Sequence, residues 1–336
     1  MWDVTARAVA ALLPVVLYLA ALVWLDGYKL VRRRDLTWAL AAGAVAAIVA
    51  LGIHRAVLGG GWLGGASYAR YVAPPLEELL KAAIIVWMLR QHRIGFLVDG
   101  AILGFAVGAG FAVVENGWYL RALTGAPFAL WVVRGAGTAI MHGAASILFV
   151  LAALTFGRSG QRTRGGAIGL LLAATLHSFY NHFFFTPLLS AVLILLFAPA
   201  LVTILFRRGE DALRQWLGLG LDADAELLEL IESGRFADSP VGIYLQTLTS
   251  TFRGEVVADM LCYIRLHTEL AVRAKGELMM RQHGFGTTAF EDEIRERFAE
   301  MRYLEGSLGP AGRRALQPIL GHGSREFWQL RLLESR

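Results

Sequence analysis

Seven stretches of about twenty apolar residues fill the first two hundred positions of this chain. That pattern constrains the fold more than any other feature. About twenty such residues cross roughly 30 Å of hydrocarbon as a helix. Inside a bilayer the backbone must satisfy its own hydrogen bonds, which leaves only helices and closed barrels. The stretches are residues 9–25, 36–53, 68–90, 96–120, 135–156, 166–184 and 188–206. The first is not a cleavable leader: only Arg7 precedes it, it is long, and no small-residue cleavage site follows it. The reading is an all-α polytopic membrane protein of about seven transmembrane helices with a helical cytoplasmic C-terminal domain.

Charge supports this division. Residues 1–206 hold 15 Lys+Arg against 7 Asp+Glu, a net of +8, and residues 207–336 hold 17 against 20, a net of −3. The boundary falls near residue 208, with 1–208 in the membrane and 209–336 outside it. The surplus base clusters in alternate connectors: Lys29, Arg32, Arg33 and Arg34; Arg90 and Arg93; Arg158, Arg162 and Arg164; Arg207 and Arg208. By the positive-inside rule the N-terminus lies outside and the C-terminal domain in the cytoplasm. Base placed beside apolar spans gives no support to nucleic-acid binding. A single cysteine, Cys262, excludes an internal disulfide and argues against a cysteine-based zinc site. Trp24, Trp38, Trp62, Trp118 and Trp131 near span ends suit an interfacial belt. Gly100, Gly104 and Gly108 form a stripe of small residues along which a second helix can approach.

In the tail, Asp222 is placed to cap a helix over 223–233 ending at Gly234, and Gly254 and Gly284 bracket a long amphipathic stretch. Thr288 and Glu291 form a capping box for a helix through Leu304.

A charge at mid-bilayer costs about 2.5–3.5 kcal/mol on insertion scales, so each one in the spans calls for a reason. The groups are Glu77, Glu78 and Lys81; Asp99; Glu115 with Asn116; His142; and His177 with Asn181. Lys81 stands three and four residues from the two carboxylates and can reach either. Counted from the basic flank of each helix at about 1.5 Å per residue, Glu78, Glu115, His142 and His177 lie about 18–24 Å deep, in one slab of the outer half of the membrane. Asp99 falls near the inner surface, where a helix cap is the better reading. His182 points away from His177, and His54, His92, His267, His283 and His322 fall in connectors or the tail and read as solvated. From spacing alone these residues define a buried polar site.

The order Glu77-Glu78-x-x-Lys81, then Asp99-Gly100 with Phe111-x-x-x-Glu115-Asn116, then His142, then His177-x-x-x-Asn181 resembles the PrsW family of intramembrane proteases, which degrade anti-sigma factors and are related to the type II CAAX prenyl proteases. The resemblance covers roughly residues 68–185. The prenyl proteases have an Arg in the first motif and a His closing the second; Lys81 and Glu115 stand there instead and favour PrsW. The resemblance implies hydrolysis of a peptide bond in a membrane-anchored, single-span protein of a bacterial cell membrane, an anti-sigma factor by family. Glu78 or Glu77 would then be the base that activates water, against a structural ion pair with Lys81. His142 and His177 would hold water, a metal or the oxyanion, against plain interhelical hydrogen bonds. Glu115 would be a ligand or a partner of a His, and Asn181 an oxyanion donor or helix glue. Glu115, His142 and His177 could hold Zn2+ from separate helices; the related prenyl proteases suggest a metal-independent route as the alternative. A proton-coupled transporter using the same groups as a relay, or a non-catalytic scaffold presenting the tail, are the competing readings.

Overall fold

The computed structural model describes residues 2–61, 64–157, 162–283, 285 and 291–320, with residues 328, 330 and 333. Trp62, Arg158, Gly284, Thr288 and His322 lie outside the described residues. Within them every regular element is helical. The chain divides into two compact units, 1–210 and 211–336.

The first unit contains α1 (Trp2–Leu25), α2 (Arg33–Gly59), α3 (Ala73–Arg90), α4 (Leu97–Ala122), α5 (Ala139–Gly157), α6 (Arg162–His182) and the first part of α7 (Pro187–Glu232). Wider π-helical turns, Tyr68–Val72 and Val133–Thr138, lead into α3 and α5. Among the described residues, five segments are long and apolar enough to cross a membrane: Val4–Leu25, Arg33–Gly59, Leu97–Ala122, Phe128–Phe156 and Pro187–Gly209. The protein is therefore an integral membrane protein. The remaining two, α3 and α6, are lowered in hydropathy by the polar residues they carry, Glu77, Glu78, Lys81 and Arg90 on one and Arg164, His177, Asn181 and His182 on the other. Both are inside-out helices. On α3 the exposed face carries Leu79 and Trp87 while Glu77, Glu78 and Lys81 are buried. On α6 Leu171, Leu172 and Phe179 are exposed while His177 is buried.

The central element is α4, buried almost without break from Val98 to Ala112. Its small residues explain how. A Cβ at Gly108 would collide with the carbonyl of His142 on α5, and one at Gly110 with the carbonyl of Leu40 on α2. Glycine at these positions lets both backbones close to contact, so α5 lies along the Gly100, Gly104 and Gly108 stripe. At the start of α4 the carboxylate of Asp99 accepts from the N–H groups of Gly95, Phe96 and Gly100 at 2.8–2.9 Å. It satisfies donors that a helix start leaves without partners. Trp24, Trp38 and Trp118 are exposed near span ends, but Trp131 is fully buried and belongs to the core.

The second unit contains the end of α7, α8 (Pro240–Leu248), α9 (Gly254–Gln282) and α10 (Glu291–Leu320). Its core is built from Leu245, Met260, Ile264, Leu270, Phe298 and Leu304, spaced at helical intervals on α8, α9 and α10. Several expectations are corrected. Helix α7 does not stop near Phe206, and Asp222 caps nothing: it lies inside a helix that continues to Glu232 and ends at Gly234, whose φ of 74° suits glycine. Helix α10 runs past Leu304 to Leu320, bending at Gly309 before Pro310. His267 is half-buried rather than solvated, and burial together with nearby Lys275 lowers its pKa to about 4.

Candidate functional site

Helices α3, α4, α5 and α6 bring their polar residues into one buried network. Glu78 and Lys81, one turn apart on α3, pair at 2.6 Å and are both almost wholly buried. Glu78 also accepts from His177 Nδ1 at 2.8 Å. Lys81 Nζ donates to His142 Nδ1 at 3.1 Å, and the ring of Phe111 lies 5.1 Å from the same ammonium. His142 Nε2 donates to Glu115 at 3.1 Å. The imidazoles of His142 and His177 meet edge to face with centroids 4.7 Å apart. Buried charges persist only when paired and hydrogen-bonded, and each charge here has a partner of opposite sign.

Next to this network lies a cavity of about 780 Å³, lined among others by His54, Glu77, Glu115, Arg134, His142 and His177. Glu78 and Lys81 do not line it. They sit behind the imidazoles, so the bland reading of Glu78 as the ion-pair partner of Lys81 describes its geometry. Glu77 faces the cavity. One of its oxygens, Oε1, is 2.9 Å from His54 Nε2, while the other, Oε2, is buried without a hydrogen-bond partner among the described residues. That oxygen lies 3.9 Å from His177 Nε2. With a neutral ring whose Nδ1–H goes to Glu78, His177 Nε2 carries a lone pair. Two unused acceptors thus face one space.

Glu77, His142 and His177 each offer a ligand atom, and these atoms lie within 4.8 Å of one another. This group fits a metal ion. It supplies one carboxylate and two imidazoles, leaves Glu77 Oε2 without a partner, and supports His177 through the Glu78 carboxylate, the arrangement that orients metal-ligating imidazoles generally. His142 is engaged at both nitrogens, by Lys81 at Nδ1 and by Glu115 at Nε2, so the acceptors open to an ion in this arrangement are Glu77 Oε2 and His177 Nε2. The carboxylate grouped with the imidazoles is thus Glu77. Glu115 is instead tied to Arg134 at 3.2 Å and to His142.

Asn181 lines the cavity wall, and its amide donates to the carbonyl of Ala69 at 3.0 Å. The cause lies in the Pro74-Pro75 pair. Prolines have no N–H, and the N–H of Ala73 goes to Tyr68, so the carbonyls of Ala69 and Arg70 receive no helical bond. Asn181 and Ser178 on α6 supply the missing donors, Ser178 to Arg70 at 2.5 Å. Asn181 therefore acts as glue between α6 and the π-turn in this structure. His182 bonds back to the Ser178 carbonyl, away from the cavity.

Two site residues escape the motif reading. His54 does not lie in a connector; α2 continues to Gly59 and carries it to Glu77. Arg134, from the π-turn before α5, pairs with Glu115, donates to Asn116 Oδ1 at 2.8 Å and stacks over Tyr119 at 3.8 Å. Each is a polar side chain within a few residues of an apolar run, and that proximity is the signal that marks them.

Helices with apolar faces outward thus enclose a cavity lined by carboxylates and imidazoles from different helices, an arrangement compatible with hydrolysis inside a membrane. Residues 32–205, about half of the chain, match the family described as PrsW family intramembrane metalloprotease. The chain belongs to that family and is a peptidase. No curated protein and no solved structure gives a significant match.

Proposed function

We propose that this PrsW-family protease hydrolyses a peptide bond of a membrane-anchored, single-span protein near the outer side of a bacterial membrane, an anti-sigma factor by family. The observation that carries the reading is the pair of unpartnered acceptors, Glu77 Oε2 and His177 Nε2, facing one buried space in the cavity. A water there would be held between a base and an imidazole. Glu77 takes its proton as it attacks the substrate carbonyl and returns it to the leaving amine. Glu78 fixes the tautomer and direction of His177, and Lys81 fixes those of His142 while neutralising Glu78. His142 and Arg134 are among the cavity-lining donors that would meet the developing oxyanion. As an alternative to this metal-independent route, Glu77, His142 and His177 would instead hold a divalent ion such as Zn2+, which would supply Lewis acidity in place of the Glu77 base.

In this reading α3 and α6 also cross the membrane, giving seven spans with the N-terminus outside and residues 209–336 in the cytoplasm. Their apolar outer faces and polar inner faces support it, as do the basic connectors.

The test is metal analysis of the purified protein together with cleavage of a single-span reporter, with and without a chelator. Loss of cleavage in Glu77→Gln and His177→Ala, in protein that still inserts and folds, is the expected result. Full activity in purified Glu77→Gln would overturn the assignment.

A further inference from the structure

Glu77 is held by two residues outside every motif read above. His54 on α2 places Nε2 2.9 Å from Glu77 Oε1 and Nδ1 2.6 Å from the hydroxyl of Tyr68. With a neutral imidazole the hydrogens follow from chemistry. A carboxylate only accepts, so His54 Nε2 carries the hydrogen, and Nδ1 presents a lone pair to which the Tyr68 hydroxyl donates. Tyr68 is 3% exposed and the His54 side chain 16%, so water does little to compete for these bonds. The chain of donors ends on one carboxylate oxygen and leaves the other facing His177. The neighbouring carboxylates are engaged elsewhere: Glu78 with Lys81 and His177, and Glu115 with Arg134 and His142.

We infer that His54 and Tyr68 are positioning residues that anchor Oε1 of Glu77, so that Oε2 is presented alone and in a fixed direction to whatever the cavity binds. The inference rests on the reading of Glu77 as the carboxylate of the site. The terminal torsion of a glutamate is broad, and a carboxylate tied at neither oxygen would turn within its pocket. Binding constellations need their groups held to within about 0.5 Å, which for ligating carboxylates is the work of hydrogen-bonding neighbours. Tyr68 is the first residue of the π-turn, which carries its hydroxyl to His54 just before the prolines begin α3.

The experiment uses full-length protein in detergent. Zn2+ affinity is measured by competition with a chromophoric chelator, and kcat and KM on a single-span reporter, for the parent, His54→Ala, His54→Gln and Tyr68→Phe. His54→Ala should weaken Zn2+ binding about 10–100-fold and lower kcat at unchanged KM. His54→Gln, whose amide N–H reaches the place of Nε2, should restore both to within about threefold, and Tyr68→Phe should fall between. Parent-like affinity and kcat in folded His54→Ala overturn the inference. If the parent itself takes up no Zn2+, the metal reading fails and kcat alone decides: a loss restored by His54→Gln supports the inference, and a parent-like kcat overturns it. If His54→Ala does not fold, Tyr68→Phe decides, since it removes only the hydroxyl; parent-like values there overturn the inference.

Discussion

Glu77 and Glu78 are neighbours in sequence, yet their carboxylates serve opposite sides of the site. Glu77 lines the cavity with one oxygen unpartnered, while Glu78 lies behind the imidazoles, bonded to Lys81 at 2.6 Å and His177 at 2.8 Å. A helix turns about 100° per residue, which is enough to give adjacent side chains different surroundings.

The two carboxylates should therefore fail differently. Glu77→Gln is expected to lower cleavage about 10²–10⁴-fold, the usual weight of a general base, with little change in melting temperature. Glu78→Gln should cost about 10–100-fold through misdirected His177, and it should also melt earlier, because Lys81 is left as an uncompensated buried charge. Equal losses of activity and equal melting would show that the division of labour is wrong.

Arg134 carries the second ion pair. Removing it leaves Glu115 without its nearest cation and frees Asn116 from one of its bonds. Arg134→Ala should destabilise the protein by on the order of 3 kcal/mol, as breaking a largely buried pair does. Arg134→Lys should recover only part of this, since an ammonium cannot bond both Glu115 and Asn116 while stacking on Tyr119. Thermal melts of the three proteins check it, and full recovery by lysine would refute the need for the planar fork.

Close packing along α4 gives a sharper contrast. Gly108→Val would drive a side chain into the backbone at His142 and Gly143, and should abolish folded protein or cut its yield severely. Gly117→Ala lies on the same helix with nothing within 4 Å, and should stabilise by about 0.5–1 kcal/mol through helix propensity. Detergent-resistant folded fraction by size-exclusion chromatography separates the two.

The second unit has its own pH dependence. The folded-state pKa of His267 is about 4, below the ordinary value of 6.5, because burial and then Lys275 disfavour the charged ring. Between these values the unfolded chain binds a proton that the folded chain does not. Stability should therefore fall as pH drops from about 6.5 to about 4 and level off below that. Hydrogen-exchange protection along α9 should follow this curve, and His267→Gln should flatten it. An unchanged slope in that variant would assign the acid response to other groups.

The helices were legible because hydrophobic runs, the glycine stripe and the Asp99 cap each have a local cause. The polar residues of the site stood out for a similar reason: against an apolar background, Glu77, Glu78, Glu115, His142 and His177 are conspicuous. Which of two adjacent glutamates meets the cavity was not legible, since it depends on how α3 is turned against α5 and α6. His54 was hidden because the end of α2 was set too early, by the apolar run rather than by the helix itself. The reach of α7 to Glu232 was hidden by the opposite error, in which a change of composition stood for a change of structure.

The proline pair has a consequence for aim. A π-turn holds one more residue than an α-turn. Were Pro74 and Pro75 able to donate, α3 could wind backward as an ordinary helix, the carbonyls of Ala69 and Arg70 would be claimed from below, and everything upstream would swing by about 100°. Tyr68 would then point its hydroxyl away from His54, and α6 would lose the two carbonyls to which Ser178 and Asn181 fasten. Two side chains that carry no chemistry thus act as the sighting mechanism of the site, setting by what they withhold the direction in which its neighbours face.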